Sequence, residues 1–103
     1  MQPDIFDALS DIIRERAADQ TNERSYVRSL LFHEKGIDKS LEKVGEEAVE
    51  YVLAVKNGEP DRIISEAADL IFHLMVSLRA ADIDFEAVIE ELAKRRTEMS
   101  RSR

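Results

Sequence analysis

Most of the side chains that could do chemistry here fall in two short stretches. Glu46, Glu47 and Glu50 lie in GEEAVE at residues 45–50. Glu66 and Asp69 lie in SEAADL at 65–70, with His73 one turn further on. A helix advances about 100° per residue, so either stretch, if helical, gathers its acids on one side. The three glutamates occupy an arc separate from Leu41, Val44, Ala48, Val52 and Val55, while Glu66, Asp69 and His73 form a stripe at i, i+3 and i+7. Taken alone, the first cluster reads as a solvated helix face. The second is harder to read that way, because its neighbours are apolar and a buried carboxylate is costly unless it is paired or binds a cation. Arg62 can pair with Glu66 at i+4, but it does not serve Asp69 as naturally.

If the two stretches face each other, Glu47, Glu50, Glu66 and Asp69 form a set of like charges that a divalent cation would relieve. Oxygen-only ligands suit Mg²⁺ or Mn²⁺ and argue against zinc. The chain has no cysteine, which removes disulfides, thiolate metal sites and thiol catalysis together. Its two histidines, His33 and His73, do not make a histidine-rich site, and neither cluster carries the Glu-x-x-His of di-iron bundles. The chemistry that fits is metal-assisted hydrolysis of a phosphoanhydride, since such a cation can bridge phosphate oxygens and activate water. Lys39 and Lys43 lie on the glutamate side of the same helix. Two roles are open to them: ion pairs, such as Lys43 with Glu46 or Glu47, or contacts with substrate phosphates.

The elements that must position these groups are all helices. Residues 4–18 carry Ile5, Phe6, Leu9, Ile12 and Ile13 at helical spacing, with Asp4 as a possible cap. A polar loop at 19–24 leads to Ser25, an N-cap for a shorter helix that carries Val27, Leu30 and Leu31 and stops at Gly36. Asp38 is predicted to cap a helix over 39–56, ending at Asn57-Gly58. Pro60 suits the first turn of a fourth helix to about residue 81, and Asp84 caps a fifth, with a frayed tail at 100–103. The tight turn at 58–60 makes the two long helices antiparallel neighbours. Glu50 and Glu66 then stand at equal distances from it, and Glu47 opposite Asp69. The fourth helix is apolar nearly all round and needs burial on more than one side, which predicts a homodimer. The expected fold is all-α, a bundle of about five helices with two long antiparallel central helices, completed by dimerisation.

At 103 residues the chain is one domain, 1–103, able to bury roughly two thirds of its unfolded surface. With 22 acids against 15 bases, its net charge of −7 speaks against nucleic-acid binding. Setting aside the five clustered acids leaves 17 against 15, so most of the excess belongs to one candidate site. The N-terminus does not read as a secretory signal, and no apolar run approaches the ~18 residues of a spanning helix. The expectation is a cytoplasmic protein without a membrane partner.

The segment from Ser25-Tyr26 through KGIDKSLEKVGEEAVE at 35–50, followed by SEAADLIFHL at 65–74, resembles the phosphoribosyl-ATP pyrophosphatase family of histidine biosynthesis. The core Glu47-x-x-Glu50 and Glu66-x-x-Asp69 is similar to the wider all-α, MazG-like pyrophosphohydrolases. The Ser-Tyr pair, the Lys-Gly…Lys…Lys-x-Gly-Glu-Glu string and Asp-Leu-x-x-His narrow the likeness. The resemblance implies hydrolysis of phosphoribosyl-ATP to phosphoribosyl-AMP and pyrophosphate with Mg²⁺. It implies that Glu47, Glu50, Glu66 and Asp69 hold the metal and that Glu46 is a further ligand or the base for the attacking water. It also implies that Lys39 and Lys43 meet phosphates, with Lys35, Ser25 and Tyr26 near the substrate. His73 could orient Asp69 through a hydrogen bond, or be a satisfied buried histidine. The family often has Thr after Ser-Tyr and a basic residue where this chain has Glu42. At this length, a fused cyclohydrolase domain is not expected. Two rivals stay open: a house-cleaning (d)NTP pyrophosphatase on the same core, and a non-catalytic helical dimerisation module.

Overall fold

A computed structural model describes residues 5–19 and 25–101. Among them are five helices and no strand: α1 (Ile5–Ala18), α2 (Tyr26–Leu31), α3 (Ile37–Asn57), α4 (Pro60–Ala80) and α5 (Phe85–Arg101). The all-α expectation holds, as do the two long central helices. None of the helices is long and apolar enough to cross a membrane.

Each boundary has a local cause. Pro60 opens α4, where its missing N–H costs no helical hydrogen bond. Gly58 closes α3 with φ 69° and ψ 29°, a left-handed conformation that suits glycine, and its N–H returns to the carbonyls of Ala54 and Val55. The α3–α4 hairpin is the most extensive helix pairing in the fold. Ser25 is the N-cap of α2, its Oγ accepting from the Arg28 N–H at 3.3 Å.

Three predicted boundaries are corrected. The second helix ends at Leu31 with Phe32 as its cap, five residues short of Gly36. Gly36, at φ 64° and ψ −142°, is instead the N-cap of α3. Asp38 therefore lies in the first turn of α3, where its charge favours the helix N-terminus without capping it. At the other end, Ser100 and Arg101 are helical rather than frayed. The expected cap at Asp4 lies outside the described residues.

The core forms where α1, α2 and the C-terminal half of α4 meet. Ile13, Val27, Leu30, Met75 and Val76 are buried together, with Leu9, Leu31, Phe72 and Phe85 packed around them. Three arginines fasten the periphery. Arg28 donates to the carbonyls of Arg16 and Ala17 at 3.3 and 3.1 Å, satisfying the end of α1. Arg79 pairs with Asp82 at 2.7 Å and Asp84 at 3.3 Å, fixing the α4–α5 corner, and Arg14 of α1 reaches the same Asp84 at 3.6 Å.

Among the described residues the buried core reaches only the C-terminal half of α4, and the hairpin keeps an apolar side in water. Ile64 is 69% exposed, Leu74 40% and Val52 55%, with Leu41, Val55 and Ile71 also exposed. Helical phase puts these on the side of the hairpin opposite the clustered acids.

Candidate active site

The hairpin brings the two acidic clusters together. One carboxylate oxygen each from Glu47, Glu66 and Asp69 lies within 4.8 Å of the others. Glu47 and Glu66 are half-buried and Asp69 is exposed, so the cluster sits at the rim of the helix pair, open to solvent. Oxygens bound to one Mg²⁺ at about 2.1 Å lie at most about 4.2 Å apart, so small rotations bring this hard, all-oxygen set onto a single divalent ion. The donor chemistry fits the group that the sequence implies.

Glu50 is placed differently. It is exposed and reaches across the hairpin to Arg62, at 3.8 Å. In place of the Arg62–Glu66 pair that helical spacing would allow, Arg62 makes this cross-helix pair, which leaves Glu66 to the cluster.

Lys43 spans two glutamates on its own helix, 3.1 Å from Glu46 and 3.6 Å from Glu47. Its hydrogen bond to Glu46 raises the ammonium above the ordinary lysine value, against a smaller opposing effect of burial, with Tyr26, Glu46 and Glu47 adding to the rise. Lys35 pairs with Glu42 at 3.2 Å. That hydrogen bond, then the charge of Lys35, holds Glu42 below the usual carboxylate range. Lys39 lies one turn before Lys43 and is half-buried.

Tyr26 stands at the first residue of α2, next to the Ser25 cap. Its hydroxyl is 2.8 Å from Nε2 of His73, and Nδ1 of His73 is 2.7 Å from the main-chain carbonyl of Asp69. His73 thus hydrogen-bonds the backbone of Asp69. The residue is 6% exposed, with both ring nitrogens satisfied. Burial raises the Tyr26 phenol above its ordinary value; Lys43 opposes the rise, and Glu47, Glu46 and Asp69 add to it. Charges from both long helices therefore act on this one hydroxyl.

The sequence profile described as phosphoribosyl-ATP pyrophosphohydrolase matches residues 6–96. The chain belongs to the phosphoribosyl-ATP pyrophosphohydrolase family. A phosphoribosyl-ATP pyrophosphatase of Methanocorpusculum labreanum is 66% identical over 95 residues, covering 92% of this chain and 91% of that protein. The relative of the same name from Methanosphaerula palustris is 62% identical over 88 residues, covering 85% and 88%. Methanoculleus marisnigri has one that is 56% identical over 92 residues, covering 89% and 94%. Every candidate site residue, from Ser25 to His73, falls inside the span matched to the pyrophosphohydrolase family. Two features of this candidate site in a pyrophosphohydrolase chain escaped sequence reasoning, the Glu50–Arg62 pair and the Tyr26–His73 bond. The second joins residues 47 positions apart, and no local pattern announces it.

Proposed function

We propose that this chain hydrolyses phosphoribosyl-ATP to phosphoribosyl-AMP and pyrophosphate, with Mg²⁺ and alternatively Mn²⁺ as its cofactor. The observation that carries this reading is the convergence of Glu47, Glu66 and Asp69 in a chain of this family. Those three carboxylates would hold the ion, and Glu50 joins them by rotating away from Arg62. A bound divalent cation neutralises phosphate charge and makes water a better nucleophile. The protein's own groups do the rest. Glu46 orients the attacking water and takes its proton as the phosphoanhydride bond breaks. Lys43, already among carboxylates, meets phosphate oxygens together with Lys39 one turn away. Lys35 and Ser25 lie nearer the rest of the substrate.

We also infer that the protein works as a homodimer. Leu41, Val52 and Val55 on α3 and Ile64, Ile71 and Leu74 on α4 form one exposed apolar side. A second copy covers such a self-complementary patch by two-fold symmetry, and this leaves the acidic side of each hairpin open to substrate.

The test is pyrophosphate release from phosphoribosyl-ATP, with Mg²⁺ and with EDTA, beside a panel of deoxynucleoside triphosphates. Metal-dependent release from phosphoribosyl-ATP, far above any deoxynucleotide turnover, is expected. The opposite preference would establish the house-cleaning activity instead.

A further inference from the structure

The hydrogen bonds of His73 have a definite direction. A main-chain carbonyl can only accept, so the nitrogen 2.7 Å from the Asp69 oxygen, Nδ1, carries the proton. In the neutral ring Nε2 is then the acceptor, and the Tyr26 hydroxyl, 2.8 Å away, donates to it. The phenol is held by its ring as well as by its proton. It stacks on Phe72 with centroids 6.2 Å apart and an interplanar angle of 18°, and it meets the His73 ring edge-on at 5.7 Å. Yet the residue remains 48% exposed. Tyr26 is thus a rim residue whose one donor is spent inward, on a buried imidazole that reaches the helical turn carrying Asp69.

We infer that Tyr26 and His73 are positioning residues. The chain Tyr26 hydroxyl to His73 imidazole to Asp69 carbonyl ties the start of α2 to α4 and sets where the Asp69 carboxylate meets Glu47 and Glu66. This gives Tyr26 a task other than touching substrate, and it gives the six-residue α2 a reason to be anchored at its first residue. Glu47 and Glu66 sit half-buried in the hairpin, whereas Asp69 is exposed, so among the three it depends most on support from its backbone. Groups that orient metal ligands from behind typically change metal affinity or activity by about 10–100-fold when altered. The inference rests on the proposed metal role of the cluster.

The test compares wild type with Tyr26→Phe, which keeps the ring and loses only the hydroxyl, with His73→Phe, which removes both hydrogen bonds of the imidazole, and with the two combined. Mn²⁺ affinity is measured by calorimetry, metal-free melting in EDTA, and kcat and KM for phosphoribosyl-ATP. Tyr26→Phe is expected to weaken Mn²⁺ binding by about 10-fold or more and to lower kcat with it, with KM within about twofold and metal-free melting little changed. Tyr26→Phe combined with His73→Phe should lose no more Mn²⁺ affinity than His73→Phe alone, because both remove one connected chain. Wild-type Mn²⁺ affinity in Tyr26→Phe would overturn the inference. So would a rise in KM alone, which marks a substrate contact, or a drop in melting with metal affinity intact, which marks a packing staple. Wild type that binds no Mn²⁺ would overturn the metal reading itself, an outcome distinct from a wild type that binds and a variant that binds equally.

Discussion

Glu47, Glu66 and Asp69 hold their oxygens within 4.8 Å of one another, an arrangement that like charges resist unless a cation joins them. Three consequences follow for Glu66→Gln. Pyrophosphate release should fall by at least about 100-fold, because a ligand of the proposed ion is lost, and ligands matter no less than the groups behind them. In EDTA the same variant should melt a few degrees higher than wild type, since one repelling charge is gone. Mg²⁺ should then raise the melting temperature of wild type much more than that of the variant. Tyr26 supplies a pH prediction. Its phenol is raised above 10.0, first by burial, so the folded state favours the neutral form. The corresponding stability is fully present below the unfolded phenol value near 10 and is lost as pH climbs through the higher folded value. Phenolate absorbance against pH in a Tyr51→Phe background, which leaves Tyr26 as the only tyrosine, should show ionisation later than for a free phenol. At this scale the cluster was legible in the sequence, because equal spacing from one turn fixes which acids share a level. The partner of Arg62 was not. An arginine can pair along its own helix or across to the next, and side-chain torsions decide between them.

At the scale of the elements, the hairpin depends on its turn. Gly58 sits at φ 69° with open space where a Cβ would be, so the cost of a side chain there is conformational and not steric crowding. Gly58→Ala should destabilise the fold by about 1–2 kcal/mol, the cost of a left-handed non-glycine residue, read from a denaturant melt. Ser40 on α3 presents the opposite case. It is buried, and its hydroxyl has no hydrogen-bond partner among the described residues. Ser40→Ala removes an unsatisfied polar group and should leave stability unchanged or raise it by about 1 kcal/mol. Helix positions were readable because apolar spacing, Pro60 and Gly58 act within a few residues. The end of α2 was misread for a physical reason as well. Glycine permits a left-handed stop but also permits the entry conformation of the next helix, and Gly36 serves the second purpose.

At the scale of the molecule, one chain is not compact. Its radius of gyration is 15.5 Å, against about 13 Å expected for a compact domain of this length. The elongation goes with an α5 that buries none of its residues and a hairpin whose apolar side faces water. Sedimentation should find wild type as a dimer at micromolar concentration. Ile71→Lys, which puts a charge in the middle of that side, should shift it to monomer while leaving the Glu47, Glu66 and Asp69 cluster untouched. A monomeric wild type would count against the dimer. By itself the sequence determined the helices, the turn that pairs the two long ones, and the acids that share a face, because helical phase and the preferences of Pro60 and Gly58 act locally. Tertiary structure alone decided that Glu50 turns to Arg62, that Tyr26 reaches His73 across 47 positions, and that α1 and α2 cover only one end of α4. Those outcomes depend on which surfaces meet in space, which no local periodicity encodes.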